Sequence, residues 1–261
     1  MGEMASSPES NLRERRTRGA HLTGIGPAAW RLGIPAGPAG QYRLAQLDDY
    51  GRLPRSAFPW RPPLTLSLRG RASAANLPGT WGFGLWNDPF GLAFVKGGGL
   101  RLPSLPDAAW FFFASPSNYL SLRDDLPASG ALAATFRSPG WPAHLYLLGT
   151  PALPLILWRR AARWLRARAR RLVQQDAAAL QLNPSEWHAY RLDWCSDNAV
   201  FRLDGQIVLE TEISPRGPLG LVLWVDNQYA AWTPDGHLAY GTLANPDSAW
   251  IEIEGLQVHA S

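Results

Sequence analysis

The stretch at 79–90, GTWGFGLWNDPF, sets Trp81, Phe83 and Leu85 between Gly82, Gly84 and Trp86. Period two is the spacing of a β-strand, in which neighbouring side chains leave by opposite faces. Glycine is poor strand material, and inside a strand it marks a place where a ligand, a ring or another backbone comes close. The Asn87-Asp88-Pro89 triplet that follows is turn chemistry. The pattern predicts a strand with one fully apolar face and two bare positions on the other.

Similar runs continue on both sides. In 63–74, Leu64, Leu66 and Leu68 alternate with Thr65, Ser67 and Arg69, one face dry and one wet. Further strands are expected at 41–50, 91–95, 108–114, 118–122, 131–138 and 143–149. Others are expected at 187–194, 198–205, 206–213, 219–227, 236–242 and 249–258. Asp204-Gly205, between two alternating runs, predicts a hairpin.

The segment 152–182 breaks the pattern with helical period: Trp158, Ala161, Ala162, Leu165, Ala169, Leu172 and Val173 form one stripe. Arg159, Arg160, Arg163, Arg166, Arg170 and Arg171 lie opposite. Residues 1–40, rich in Gly, Pro, Ser, Ala and Arg, predict a flexible lead-in. The expected architecture is an antiparallel jelly-roll β-sandwich over 41–261, carrying 152–182 as an inserted basic helix.

Of 261 residues, 46% are hydrophobic and 18% charged, enough apolar material for a sizeable core. The net charge of +4 is almost all arginine, with Lys96 the only lysine, and much of it sits in the N-terminal region and at 159–171. With no reading module beside it, this charge predicts no nucleic-acid partner. Cys195 is the only cysteine, so no intramolecular disulfide can form. The N-terminal stretch has no apolar signal region, and no run of 18 apolar residues occurs. A cytoplasmic protein is expected.

The segment 186–210, EWHAYRLDWCSDNAVFRLDGQIVLE, carries Trp187, His188, Tyr190, Trp194, Phe201, Asp204, Gly205 and Val208. It resembles the strand–hairpin region of the concanavalin A-like lectin/glucanase superfamily, and within it glycoside hydrolase family 16. GTWGFGLW resembles that family's Gly-Thr-Trp strand, and AWIEIEGLQV its closing strand, so the resemblance runs in order over 60–258. It implies two curved sheets with a ligand cleft on the concave face, and a catalytic strand of the form Glu-x-Asp-x-(x)-Glu. That strand is expected near 93–125, where no glutamate occurs. Its acids are Asp107 and the adjacent Asp124 and Asp125, which point to opposite sides. Standard β-glucanase activity is therefore not expected.

LWNDPF and LWVDNQY each place an acid and an asparagine just past a strand and its tryptophan. Asp88 and Asp226 are accordingly the candidate catalytic or polar anchor groups, converging at one rim, although both also suit turns. The candidate ligand-binding residues are Trp81, Trp86, Asn87, Trp110, Phe112, Tyr119, Trp224, Asn227 and Tyr229. Two function classes follow: a carbohydrate-binding or carbohydrate-processing protein, or a binder or enzyme acting on an apolar small molecule in an aromatic cleft. The five histidines show no metal spacing, and no metal or cofactor is expected; Asp48 and Asp49 suit a strand cap or a structural calcium. Glu210, Glu212, Glu252 and Glu254 are expected to face water. The helix 152–182 is expected to pack as a lid, and its composition is also that of a peripheral membrane-surface helix. Nothing in the pattern sets an oligomeric state.

Overall fold

The computed structural model describes residues 12–89, 101–140 and 158–260. Two seven-stranded antiparallel sheets lie face to face. The front sheet runs β1 (Arg13–Arg16), β4 (Leu44–Asp48), β13 (Gly220–Asp226), β6 (Thr80–Trp86), β7 (Ala108–Ala114), β8 (Gly130–Arg137) and β9 (Gln174–Ala179). The back sheet runs β12 (Gln206–Thr211), β11 (Ala199–Leu203), β10 (His188–Trp194), β5 (Leu64–Ala72), β16 (Ala249–Ala260), β3 (Ala29–Ile34) and β2 (His21–Gly26). β14 (Gln228–Trp232) and β15 (Leu238–Thr242) make a separate hairpin. The one α-helix among the described residues, α1, spans Arg159–Leu172. This is the antiparallel jelly-roll sandwich with an inserted helix that the alternating runs predicted. The expected hairpin forms too: Asp204 and Gly205 both take positive φ, +49° and +82°, between β11 and β12.

The core lies between the sheets. Trp81, Phe83, Leu85, Phe111 and Phe113 meet Leu66, Tyr190, Leu192, Trp194 and Phe201 from the back. Trp81 stacks on Phe113 at 3.6 Å with planes 6° apart, and Phe111 meets Phe201 edge-on at 5.3 Å. Trp81 is thus core, not ligand lining, because the odd positions of β6 are the inward ones.

The glycines serve the other face. In register, Gly82 lies between Trp224 and Phe112, and Gly84 between Val222 and Trp110. A Cβ on Gly82 would stand 2.9 Å from the Trp224 ring and press on the Phe111 carbonyl; one on Gly84 would stand 2.5 Å from Trp110 Cα. The bare backbone is therefore filled by neighbouring rings and main chain.

Several expectations need correction. The lead-in is ordered from Arg13: β1 pairs with β4, β3 with β16, and β2 with β3 at the edge of the back sheet. The helix is shorter than predicted, because Gln174–Ala179 form β9 along β8. Val173, Gln175 and Ala177 are buried in alternation, Val173 and Ala177 packing with Ala134 and Phe136 on the outer face of the front sheet, so tertiary pairing overrides the helix propensity of the alanines. Within α1 the buried residues are Ala162 and Arg166, while Trp158 and Leu172 are exposed. Arg166 is buried because its donors are engaged, with Trp232 O at 3.0 Å, Ser121 O at 2.9 Å and Asp124 Oδ1 at 2.5 Å. The 118–122 run forms no strand, only a bridge from Tyr119 to Ala231. Glu252 does not face water: Arg31 and Arg71 enclose it at 2.5 and 2.7 Å. The runs at 91–95 and 143–149, and helix residues 152–157, lie outside the described residues.

Gly82→Ala is expected to destabilise the protein by about 1–3 kcal/mol, the range for overpacking. Gly24→Ala, where nothing lies within 4 Å of the added methyl, should change stability by less than about 0.5 kcal/mol. Urea denaturation of both variants checks the contrast.

Candidate functional site

The outer face of the front sheet is the face expected to bind ligand, and the strand register lays it out in rows. One row reads Arg15, Gln46, Trp224, Gly82, Phe112 and Leu132. The next reads Arg13, Asp48, Val222, Gly84, Trp110 and Ala134. A third holds Gly220, Trp86, Ala108 and Phe136. At the far end stand Leu44, Asp226, Thr80 and Ala114.

An aromatic layer occupies the middle. Trp86 and Trp224 lie parallel, 6.4 Å apart with planes 5° apart, across the bare glycine positions. Trp110 is 5.8 Å from Trp86, 5.9 Å from Trp224 and 5.2 Å from Phe112. Trp224 and Phe112 are buried, whereas Trp86 and Trp110 are half-buried and offer ring surface. Four of the expected ligand-binding residues, Trp86, Trp110, Phe112 and Trp224, therefore do come together.

The rest do not join them. β6 and β13 are antiparallel, with Thr80 opposite Asp226 and Trp86 opposite Gly220. Asp88, just past Trp86, and Asp226 therefore sit at opposite ends of the sheet, roughly 20 Å apart at about 3.4 Å per residue. The expected convergence at one rim is overturned. Asn87 donates to Ser104 Oγ at 3.2 Å and Leu105 O at 2.9 Å and accepts from Asp107 N at 3.1 Å. Asn227 donates to Gln41 O and Leu243 O and accepts from Arg43 N at 2.8 Å. Both amides are committed to bracing backbone. Tyr119 lies under the Arg166 guanidinium at 5.6 Å, and Tyr229 packs over Gly241 in the β14–β15 hairpin.

The acids of this face are also engaged. Asp226 accepts from Thr80 Oγ1 at 2.9 Å and Gln228 N at 3.1 Å, and Thr80 Oγ1 in turn accepts from Trp224 Nε1 at 3.0 Å. Burial pushes the Asp226 carboxyl up to about 7 against these hydrogen bonds. Burial raises Asp88 as well, opposed by Arg101, 3.3 Å away, and by Arg55. Asp48 accepts from Gln46 Nε2 at 2.8 Å and Gly51 N at 2.7 Å.

A polar cluster at this end was not among the residues expected from the sequence. Arg101 caps Tyr50 and Phe58 at 5.6 and 5.8 Å and donates to Gly51 O at 3.1 Å. Arg55 donates to the carbonyls of Asn87, Asp88 and Leu102. The signal was available in part: period two in 44–50 puts Gln46, Asp48 and Tyr50 on one face.

Asp49 is held by side-chain and backbone donors. It accepts from Trp60 Nε1 at 2.5 Å and Leu221 N at 2.9 Å, and burial raises it to about 7. No group of three or more His, Cys, Asp or Glu residues converges to hold a metal among the described residues. His188 bonds Asp204 Oδ2 at 2.7 Å and Asn183 O at 3.1 Å, bracing the hairpin. No helix among the described residues is long and apolar enough to cross a membrane.

No family model matches the sequence, and no curated protein resembles it significantly. Among solved structures, a legume lectin-like domain from Entamoeba histolytica aligns at 9% identity over 97% of this chain and 91% of that one, with a TM-score of 0.47. The carbohydrate recognition domain of Emp47p aligns at 11% identity over 97% and 89%, with a TM-score of 0.47. An immunostimulatory antigen and pseudo beta-1,3-glucanase of Mycobacterium tuberculosis aligns at 13% identity over 90% and 76%, with a TM-score of 0.46. Likenesses at this level carry no argument about activity, and the fold rests on the strand order itself.

The raised Asp226 carboxyl gives a pH dependence. Its proton is held more tightly folded than unfolded, so its stabilising contribution is complete below about pH 4, the unfolded value. That contribution is lost as pH rises to about 7. Asp226→Asn should therefore gain stability relative to wild type between pH 4 and 7, with no further change above. Urea midpoints measured across that range check this, and part of the wild-type fall should persist in the variant because Asp49 is raised too.

Proposed function

We propose that this protein binds a saccharide on the outer face of the front sheet, against Trp86 and Trp110, and does not cleave it. One observation carries the reading. Tryptophans from three strands, two of them partly exposed, form a continuous layer on the face where the resembled hydrolases hold their carboxylates. Indole faces stack on the C–H face of a sugar ring, combining apolar contact with a defined orientation. Retaining hydrolysis needs two carboxyls about 5–5.5 Å apart. The outward positions of β6 and β7 are Thr80, Gly82, Gly84, Trp86, Ala108, Trp110, Phe112 and Ala114, none of them acidic.

A second reading, an apolar small molecule on the same rings, draws support from Leu105, Leu122 and Leu126, which pack with Trp86 and Trp110 against the buried cluster of Ala108, Ala134 and Phe136. The lone Cys195 supports a reducing compartment such as the cytoplasm.

Titration calorimetry with laminarin- and lichenan-derived oligosaccharides tests the proposal. Trp110→Ala should weaken binding by roughly tenfold, about 1.4 kcal/mol, and no reducing ends should appear on prolonged incubation. Unchanged affinity in Trp110→Ala would remove the proposed site. Sugar release abolished by replacing one carboxylate would contradict the absence of chemistry. Binding of an apolar fluorophore that oligosaccharides fail to displace would favour the second reading.

A further inference from the structure

Helix α1 turns two stripes to its surroundings. Ala162, Arg166, Ala169 and Val173, spaced i, i+4, i+7 and i+11, face the protein. Arg160, Trp164, Arg168 and Arg171, spaced i, i+4, i+8 and i+11, lie on the far side, and all four are exposed. Trp164 is 56% exposed, and Trp158 and Leu172, at the two ends, are 62% and 40% exposed. The Arg168 guanidinium lies 5.1 Å over the Trp164 ring.

Charge on this stripe is one-signed. Residues 158–175 contain no acid. Asp124 serves the inner side, pairing with Arg166 at 2.5 Å and Arg170 at 3.4 Å. Arg160, Arg168 and Arg171 form no ion pair among the described residues. The composition does not serve the helix itself. Its first turn holds Arg159 and Arg160 with no acid and no side-chain cap, against the direction of the helix dipole. The helix start is nevertheless held in place, since Gly236 of the β14–β15 connection packs on the Arg159 carbonyl. On β15, Tyr240 adds an aromatic ring that is 82% exposed.

We infer that the outer stripe of α1 is a docking surface for an anionic lipid membrane. An indole set among arginines suits the headgroup level, where the ring lies at the acyl boundary and guanidinium groups reach lipid phosphates. Exposed Trp164 gains a place in such a boundary, whereas a nucleic-acid backbone would leave its apolar surface in water. The helix lies on the body of the protein with its inner stripe fixed, so it meets a membrane lengthwise.

Co-sedimentation with vesicles tests this on the full chain. The protein should partition onto phosphatidylcholine vesicles containing phosphatidylserine and not onto phosphatidylcholine alone. The triple variant R160E/R168E/R171E should lose at least about tenfold in partitioning, since each basic residue near an anionic surface contributes separately. W164S should also lose partitioning at unchanged net charge. Both variants change exposed side chains and should melt with the wild type, and the two vesicle compositions provide a contrast on the unaltered protein. Equal partitioning onto the two vesicles, partitioning that survives W164S, or preferential capture of an RNA oligonucleotide over vesicles would each overturn the inference.

Discussion

Two missing side chains set the geometry of the front sheet. β6 sits between β13 and β7, and at Gly82 and Gly84 it presents only backbone to the outer face. The Trp224 ring lies over the first gap, and the main chain and Cβ of Trp110 close on the second. A glycine in a strand costs about 0.5–1 kcal/mol against alanine. Each large ring held against the sheet contributes about 1.5–3 kcal/mol from burial, so the exchange is favourable. With side chains on β6, the Trp86–Trp224 pair and Trp110 would stand off the sheet, and no continuous aromatic surface would form. The opposite face of the same strand carries Trp81, Phe83 and Leu85 into the core. One alternation thus builds both layers.

Around that surface, buried polar side chains hold the loops. Arg55 and Arg101 tie the segments at 49–58 and 101–107 to the end of β6. Asn227 and Asn118 pin the far end, Asn118 through Gly79 O at 3.2 Å and Ala230 N at 3.0 Å. Side chains that looked like rim ligands are instead the braces that fix the frame. A rigid frame suits recognition by stacking, because little conformational entropy remains to be lost when a ring docks.

The fold was legible because it is local in origin. Alternation in 63–74, 79–87 and 108–114 marks β5, β6 and β7, and Asp204-Gly205 marks the hairpin between β11 and β12. The lead-in was not legible, because β1 and β2 are short edge strands with almost wholly exposed side chains and so have no apolar face to show. The end of the helix was hidden by alanines that favour helix but serve β9. Asp88 and Asp226 share flanking residues, yet a likeness of strand ends says nothing of direction. Only the antiparallel register of β6 and β13 separates them. Trp81 and Trp86 illustrate the same limit at one strand: parity sends one ring into the core and the other outward. Which face is core depends on what packs against it.

A saccharide should meet the outer face of the front sheet, against Trp86 and Trp110. The indole N–H resonances of the thirteen tryptophans can be assigned by single replacement and followed during titration with an oligosaccharide. Trp86, Trp110 and Trp224 should shift together, while Trp187 and Trp250, beside the arginines of the back sheet, stay in place. Shifts confined to Trp187 and Trp250, with the front-sheet indoles unmoved, would contradict it.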